Sequence, residues 1–198
     1  MKIDFSFYLA LLLALFSRQI DVYLAYLIAV IIHECGHLII ASLFKWEVEL
    51  LKITAIGGFL TFKNDLSKPR LQAFLVACGG VFFNVILVIM LTLLDGSPTL
   101  IYPQLTIIIF NLLPIAPLDG SKIMQSLMRG FFEYRTVLNI MRVTNTIFLA
   151  IFAIGVIALR LEQYFIAVIV LAVLVGKFQA TVPYIYERYK IQKASNSH

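Results

Sequence analysis

The chain has 198 residues, 61% of them hydrophobic and 14% charged, with a net charge of +5 and a mean hydropathy of +0.94. Soluble domains carry about 25% charged residues, so this composition excludes an ordinary soluble protein and indicates a polytopic membrane protein. Cys35 and Cys78 lie in apolar runs, which excludes a disulfide framework.

The first apolar run, 5–16, has no small-x-small cleavage site before Ser17-Arg18. It is therefore expected to be retained as a first span, although spans usually need about 17–25 residues. Further spans are predicted at 22–44, 71–94, 100–118, 146–159 and 164–176, the last two parted by Arg160-Leu161-Glu162-Gln163. Between the second and third spans, 48–54 and 59–62 are rich in β-branched and aromatic residues. They flank Gly57-Gly58, a pair typical of hairpin turns. The predicted fold class is an all-α polytopic membrane protein of about six transmembrane helices, with a small membrane-associated β-hairpin. Residues 1–186 form one transmembrane domain and 187–198 a polar, frayed C-terminal tail.

Charge sets the topology. With this span order, all of the 16 basic residues except Arg18 and Arg160 fall on one side of the membrane. That segregation is the positive-inside pattern with both termini cytoplasmic. A nucleic-acid-binding surface would have no reason to follow it, so no nucleic-acid partner is expected and the lipid bilayer is the surrounding partner.

The second span carries His33-Glu34-Cys35-Gly36-His37. On a helix, residues i and i+4 share a face, so His33 and His37 present two imidazoles to one metal ion. Glu34 lies one position on, placed to act on water as a general base. Ionisable groups at membrane depth are costly and mark functional sites.

A catalytic zinc centre needs a third protein ligand and an open position. The other acidic residues fall in connections, tails or the opposite-side breaks. Asp119 remains, after Asn111-Leu112-Leu113-Pro114-Ile115-Ala116-Pro117-Leu118 at the cytoplasmic end of the fourth span. Pro114 and Pro117 are expected to break that helix and aim the carboxylate sideways. His37 lies about two turns from the boundary at Lys45, so both halves of the site approach from the cytoplasmic side. Asn84 and Asn111 are candidate buried amides for an unwound substrate, or equally interhelical hydrogen-bond glue.

HExxH in an early span, followed by Asn-x-x-Pro-x-x-Pro-x-Asp-Gly in a later one, resembles the site-2 protease family of intramembrane zinc metalloproteases, peptidase family M50. The six-span layout without a PDZ insertion is most similar to the sporulation members of that family. The resemblance implies Zn2+ as cofactor, His33, His37 and Asp119 as ligands, and Glu34 as catalytic base. Gly57 and Gly58 match the family's glycine-bearing hairpin, which implies substrate binding as an extended strand. Gly80 and Asn84 match the ends of its Ala-Gly-Pro-x-x-Asn element, in which Val81 replaces the proline.

The activity so implied is hydrolysis of a peptide bond in a membrane-associated substrate near the cytoplasmic face. By resemblance the substrate is a pro-sigma factor processed during sporulation, in the outer forespore membrane of a bacterial cell, under inhibitory membrane proteins. The alternative in the same chemistry is a general site-2 protease of anti-sigma factors or signal-peptide remnants. From a different class, the alternative is a non-proteolytic membrane metal-binding or transport protein. Transporters string ionisable residues along a path and show inverted repeats, whereas this chain concentrates its membrane-depth polarity at one site.

Overall fold

The computed structural model describes every residue except Met1, Asp4, Ser17, Gln19, Ala55, Ile56, 161–164 and 196–198. It is a helical protein with one small sheet. In chain order the elements are β1 (Lys2–Ile3), α1 (Phe5–Phe16), α2 (Ile20–Leu43), β2 (Val48–Thr54), β3 (Gly57–Phe62) and a short 3-10 turn (Asp65–Ser67). Then follow α3 (Arg70–Leu93), α4 (Pro98–Leu112), α5 (Asp119–Met128), α6 (Tyr134–Ala158) and α7 (Phe165–Ser195). Two compact units result, one formed by Met1–Asp65 with Leu75–Phe110, the other by Leu66–Phe74 with Asn111–His198.

Among the described residues, three helices, α2, α3 and α6, are long and apolar enough to cross a membrane, and α4 is a shorter apolar helix. At about 1.5 Å per residue, the 24 residues of α2 reach past a hydrocarbon core of about 30 Å. Its surface pattern fits lipid as solvent. Ala25, Ala29, His33, His37 and Ala41, a ladder of every fourth residue, are buried, while Leu24, Ile28, Ile31 and Ile39 are exposed. Small and polar groups inward with large aliphatic groups outward is how helices pack within a bilayer.

In the first unit α2 and α3 cross at glycines. A Cβ on Gly36 would collide with the Gly79 carbonyl, and one on Gly79 would lie 2.8 Å from the Gly36 carbonyl oxygen. Only hydrogens let the two backbones approach so closely. The sheet has the order β1-β2-β3, with β1 parallel to β2 and β2 antiparallel to β3. Buried Trp46 and Phe62 pack edge to face, with centroids 5.4 Å apart, at the open end of the hairpin. Glu47 and Lys63 form an exposed ion pair beside them, which raises the lysine's pKa.

Among the described residues of the second unit, apolar side chains gather in two clusters. Ile115, Leu171 and Val175 form one. Tyr134, Leu138 and Val182 form the other, against which Leu66, Phe178 and Tyr189 pack. Arg129 donates to the carbonyls of Leu66 and Lys68 and lies over the Tyr134 and Tyr189 rings, tying the 3-10 turn to the start of α6.

Several predicted boundaries change. Gly57 and Gly58 do not form the turn; they pair with Thr54 and Ile53 as the first residues of β3, because cross-strand register decides the turn position. The apolar run to Leu118 is not one helix. Helix α4 ends at Leu112, and an amphipathic helix, α5, begins at Asp119, since Pro114 and Pro117 cannot continue the ladder. Helix α6 starts at Tyr134 rather than 146, and α7 continues through the expected tail to Ser195. The predicted break at Leu161-Glu162-Gln163 lies outside the described residues.

Candidate metal centre

In the first unit, His33 and His37 lie one above the other on α2, their rings edge to face with centroids 4.7 Å apart. Their Nε2 atoms face each other at 3.1 Å. The groups behind them fix the tautomers. His37 Nδ1 lies 2.7 Å from the Val76 carbonyl oxygen, which accepts only, so this Nδ1 carries the proton. Asn84 Nδ2 donates to the Ala29 carbonyl and to Gln104 Oε1. That orients Asn84 Oδ1 toward His33 Nδ1, 2.8 Å away, which must then donate. With Nδ1 of each ring donating to its acceptor, the two Nε2 atoms are turned toward each other.

Two imidazole nitrogens held at that spacing can both bind one metal ion. The donor set therefore fits a metal ion on chemical grounds. Imidazole nitrogens suit zinc, and outer groups that receive the other ring proton commonly orient zinc-binding histidines. The backbone of α3 closes over the pair. A Cβ built on Gly80 would lie 2.5 Å from His37 Nε2 and 2.6 Å from His33 Cε1.

Glu34, partly buried, lies on the next position of α2. A Cβ on Gly58 would come within 2.5 Å of the Glu34 carboxyl carbon and Oε1. Strand β3 thus runs past the proposed base, and its glycine admits the carboxylate. Gly57 precedes it on the same strand.

Asn84 is fully buried and has spent both amide hydrogens on Ala29 and Gln104. It has no donor left for a substrate carbonyl, so of the two readings open from the sequence, interhelical hydrogen bonding describes it. Gln104, also buried, was not singled out from the sequence. Its signal there was an amide within the apolar run 100–118, where an unpaired polar group is expensive. Asn111 is partly buried near the end of α4.

In the second unit Asp119 opens α5, where the positive end of the helix dipole favours a carboxylate. It is 3% exposed, and Lys122 Nζ lies 3.0 Å from its Oδ1. The approach to it is fixed by packing. Asn145 Oδ1 accepts the Ala116 N–H, Ile115 is buried, and any Cβ on Gly120 would strike the Leu112 and Leu113 carbonyls.

Residues 22–97 match the model of peptidase family M50. Stage IV sporulation protein FB of Bacillus subtilis (strain 168) is 28% identical over 120 residues, covering 57% of this chain and 42% of that protein. The protein named "Putative zinc metalloprotease sll0528" of Synechocystis sp. is 29% identical over 110 residues, 50% of this chain and 29% of that one. The chain thus spans less than half the length of the curated relatives it matches. The solved Site-2 Protease from Methanocaldococcus jannaschii shares the fold, with a TM-score of 0.67 over 88% of both chains at 18% identity. Family match and relatives point the same way: over residues 22–97 the chain is similar to peptidase family M50, and its fold is that of the solved site-2 protease.

Proposed function

We propose that the chain is an intramembrane zinc metalloprotease that hydrolyses a peptide bond in a membrane-associated protein near the cytoplasmic face. The observation that carries this reading is the pair of imidazole Nε2 atoms facing each other at 3.1 Å inside a span-length helix, with Glu34 on the adjacent position. His33, His37 and Asp119 would hold the zinc. All three are buried, and two imidazoles with one carboxylate form a familiar catalytic donor set that leaves a fourth position open.

Bound zinc would supply Lewis-acid polarisation of the scissile carbonyl and lower the pKa of water toward about 7. Glu34 takes the proton from the attacking water and returns it to the leaving amine. Helical substrate hides its amides, so it must open into a strand before attack. Strand β3 is an outer strand in the sheet order, and an extended peptide can add along such an edge. Gly57 and Gly58 then lie beside the substrate backbone, with Asn111 as a further polar contact.

Gly58→Ala tests this placement. The added methyl displaces the Glu34 carboxylate, whose flexible stem absorbs the clash. Cleavage should fall about 100-fold, the effect of misplacing a reacting group by roughly 1 Å, with zinc content and thermal stability unchanged. Unaltered turnover would show that β3 does not set the position of Glu34.

Similarity to a sporulation protein supports a pro-sigma factor as substrate, with the enzyme in the outer forespore membrane and regulated by inhibitory membrane proteins. Charge segregation supports six spans with both termini cytoplasmic. Co-expression of the chain with candidate pro-sigma factors is the test. A shortened product is expected with wild type and none with Glu34→Gln. Cleavage confined to anti-sigma factors or signal-peptide remnants would replace the substrate assignment. Zinc binding without cleavage of any of these substrates would overturn the protease reading in favour of a metal-binding or transport protein.

A further inference from the structure

The hydrogen bonds behind His33 lead through Asn84 to Gln104. The chain of donors runs from His33 Nδ1 to Asn84 Oδ1, and from Asn84 Nδ2 to Gln104 Oε1, linking α2, α3 and α4. Asn84 and Gln104 are 0% and 1% exposed. Burying two amides in an apolar bundle costs several kcal/mol unless their polar atoms are paired, and this geometry pairs them in one direction only.

The Ala29 carbonyl receives one Asn84 hydrogen, but one bond leaves the amide free to swing about it. Gln104 Oε1 takes the second hydrogen and stops that swing. The Asn84 oxygen then has a single orientation, and the His33 proton a single nitrogen. We infer that Gln104 is a positioning residue for metal binding: through Asn84 it holds His33 with its proton on Nδ1 and its Nε2 lone pair directed at the ion. The role requires only an acceptor at position 104. The inference rests on the reading of His33 as a zinc ligand.

The test measures zinc affinity by chelator competition, and the visible spectrum of the cobalt-substituted protein, on full-length chains in nanodiscs. Wild type is the control; if it binds neither metal, the zinc-ligand reading fails before the variants are considered. Asn84→Ala should weaken zinc binding about 10–100-fold, and Gln104→Leu about tenfold, the range seen when groups behind metal ligands are removed. Both should alter the cobalt spectrum.

Gln104→Glu keeps an acceptor oxygen whether or not the carboxyl is protonated, so it should retain affinity within about threefold and a wild-type cobalt spectrum. A residue that merely fills space predicts the opposite order, with leucine tolerated and glutamate penalised. Wild-type affinity in Gln104→Leu, or loss of affinity in Gln104→Glu, would overturn the inference. Because the glutamate arm alone decides the sign, misfolding of the leucine variant leaves the proposal open to refutation.

Discussion

Glu34→Gln is expected to retain zinc at the wild-type level and to lose cleavage by about 10²–10⁴-fold, the usual contribution of a general acid–base group. The amide has nearly the same shape as the carboxylate, so it fits against Gly58 as the native side chain does. It cannot take a proton from water. The metal donors are untouched, because the Nδ1 protons of His33 and His37 go to Asn84 and Val76 and not to Glu34. Metal analysis of the purified variant, beside single-turnover cleavage of a co-reconstituted substrate, separates the two effects. Full activity in this variant would remove Glu34 from the mechanism, and loss of zinc would make it structural.

Gly80→Ala should abolish zinc binding, and activity with it. The methyl group would lie 2.5 Å from His37 Nε2 and 2.7 Å from His33 Nε2. Neither ring can easily retreat. His37 is held by a backbone carbonyl, and His33 by an amide whose own hydrogens are committed. Overpacking of this kind costs about 1–3 kcal/mol in stability, which the helical unit can survive. The donor geometry cannot, and more than a tenfold loss of zinc affinity is expected. Metal stoichiometry after purification, with a melting curve to confirm folding, is the measurement. A zinc-replete, active Gly80→Ala protein would show that the α3 backbone is not in contact with the donor atoms.

These two variants also separate what each helix contributes. Helix α2 carries the proposed chemistry, through His33, Glu34 and His37. Helix α3 carries the fit, through a missing Cβ at Gly80 and an amide at Asn84. The same division explains why Gly36 and Gly79 occur at the crossing: the rings reach the α3 backbone only because the helices nearly touch.

What could be read directly from the residues was whatever depends on local geometry or on solvent. The His33/His37 pair follows from 3.6 residues per turn, and the membrane assignment from the scarcity of charge. The choice of Asp119 as third ligand also came from the sequence, by elimination and charge topology, and stands as a proposal. Helix ends were less legible. The apolar run 100–118 hid the end of α4 because hydropathy persists through Pro114 and Pro117, where the hydrogen-bond ladder does not. The start of α6 at Tyr134 was hidden for the opposite reason, since its first turns are polar on one face and pack Tyr134, Val137 and Leu138 on the other.

The sequence alone determined that two imidazoles and a carboxylate share a helix in an apolar chain, because spacing on a helix fixes which side chains are neighbours. Only the tertiary structure decided which imidazole nitrogens face each other. That depends on partners far along the chain: Asn84 lies 51 residues from His33, and Val76 lies 39 from His37. It likewise moved Gly57-Gly58 from turn to strand, because register is a property of two strands together. Local spacing names the donors; long-range hydrogen bonds give them their direction.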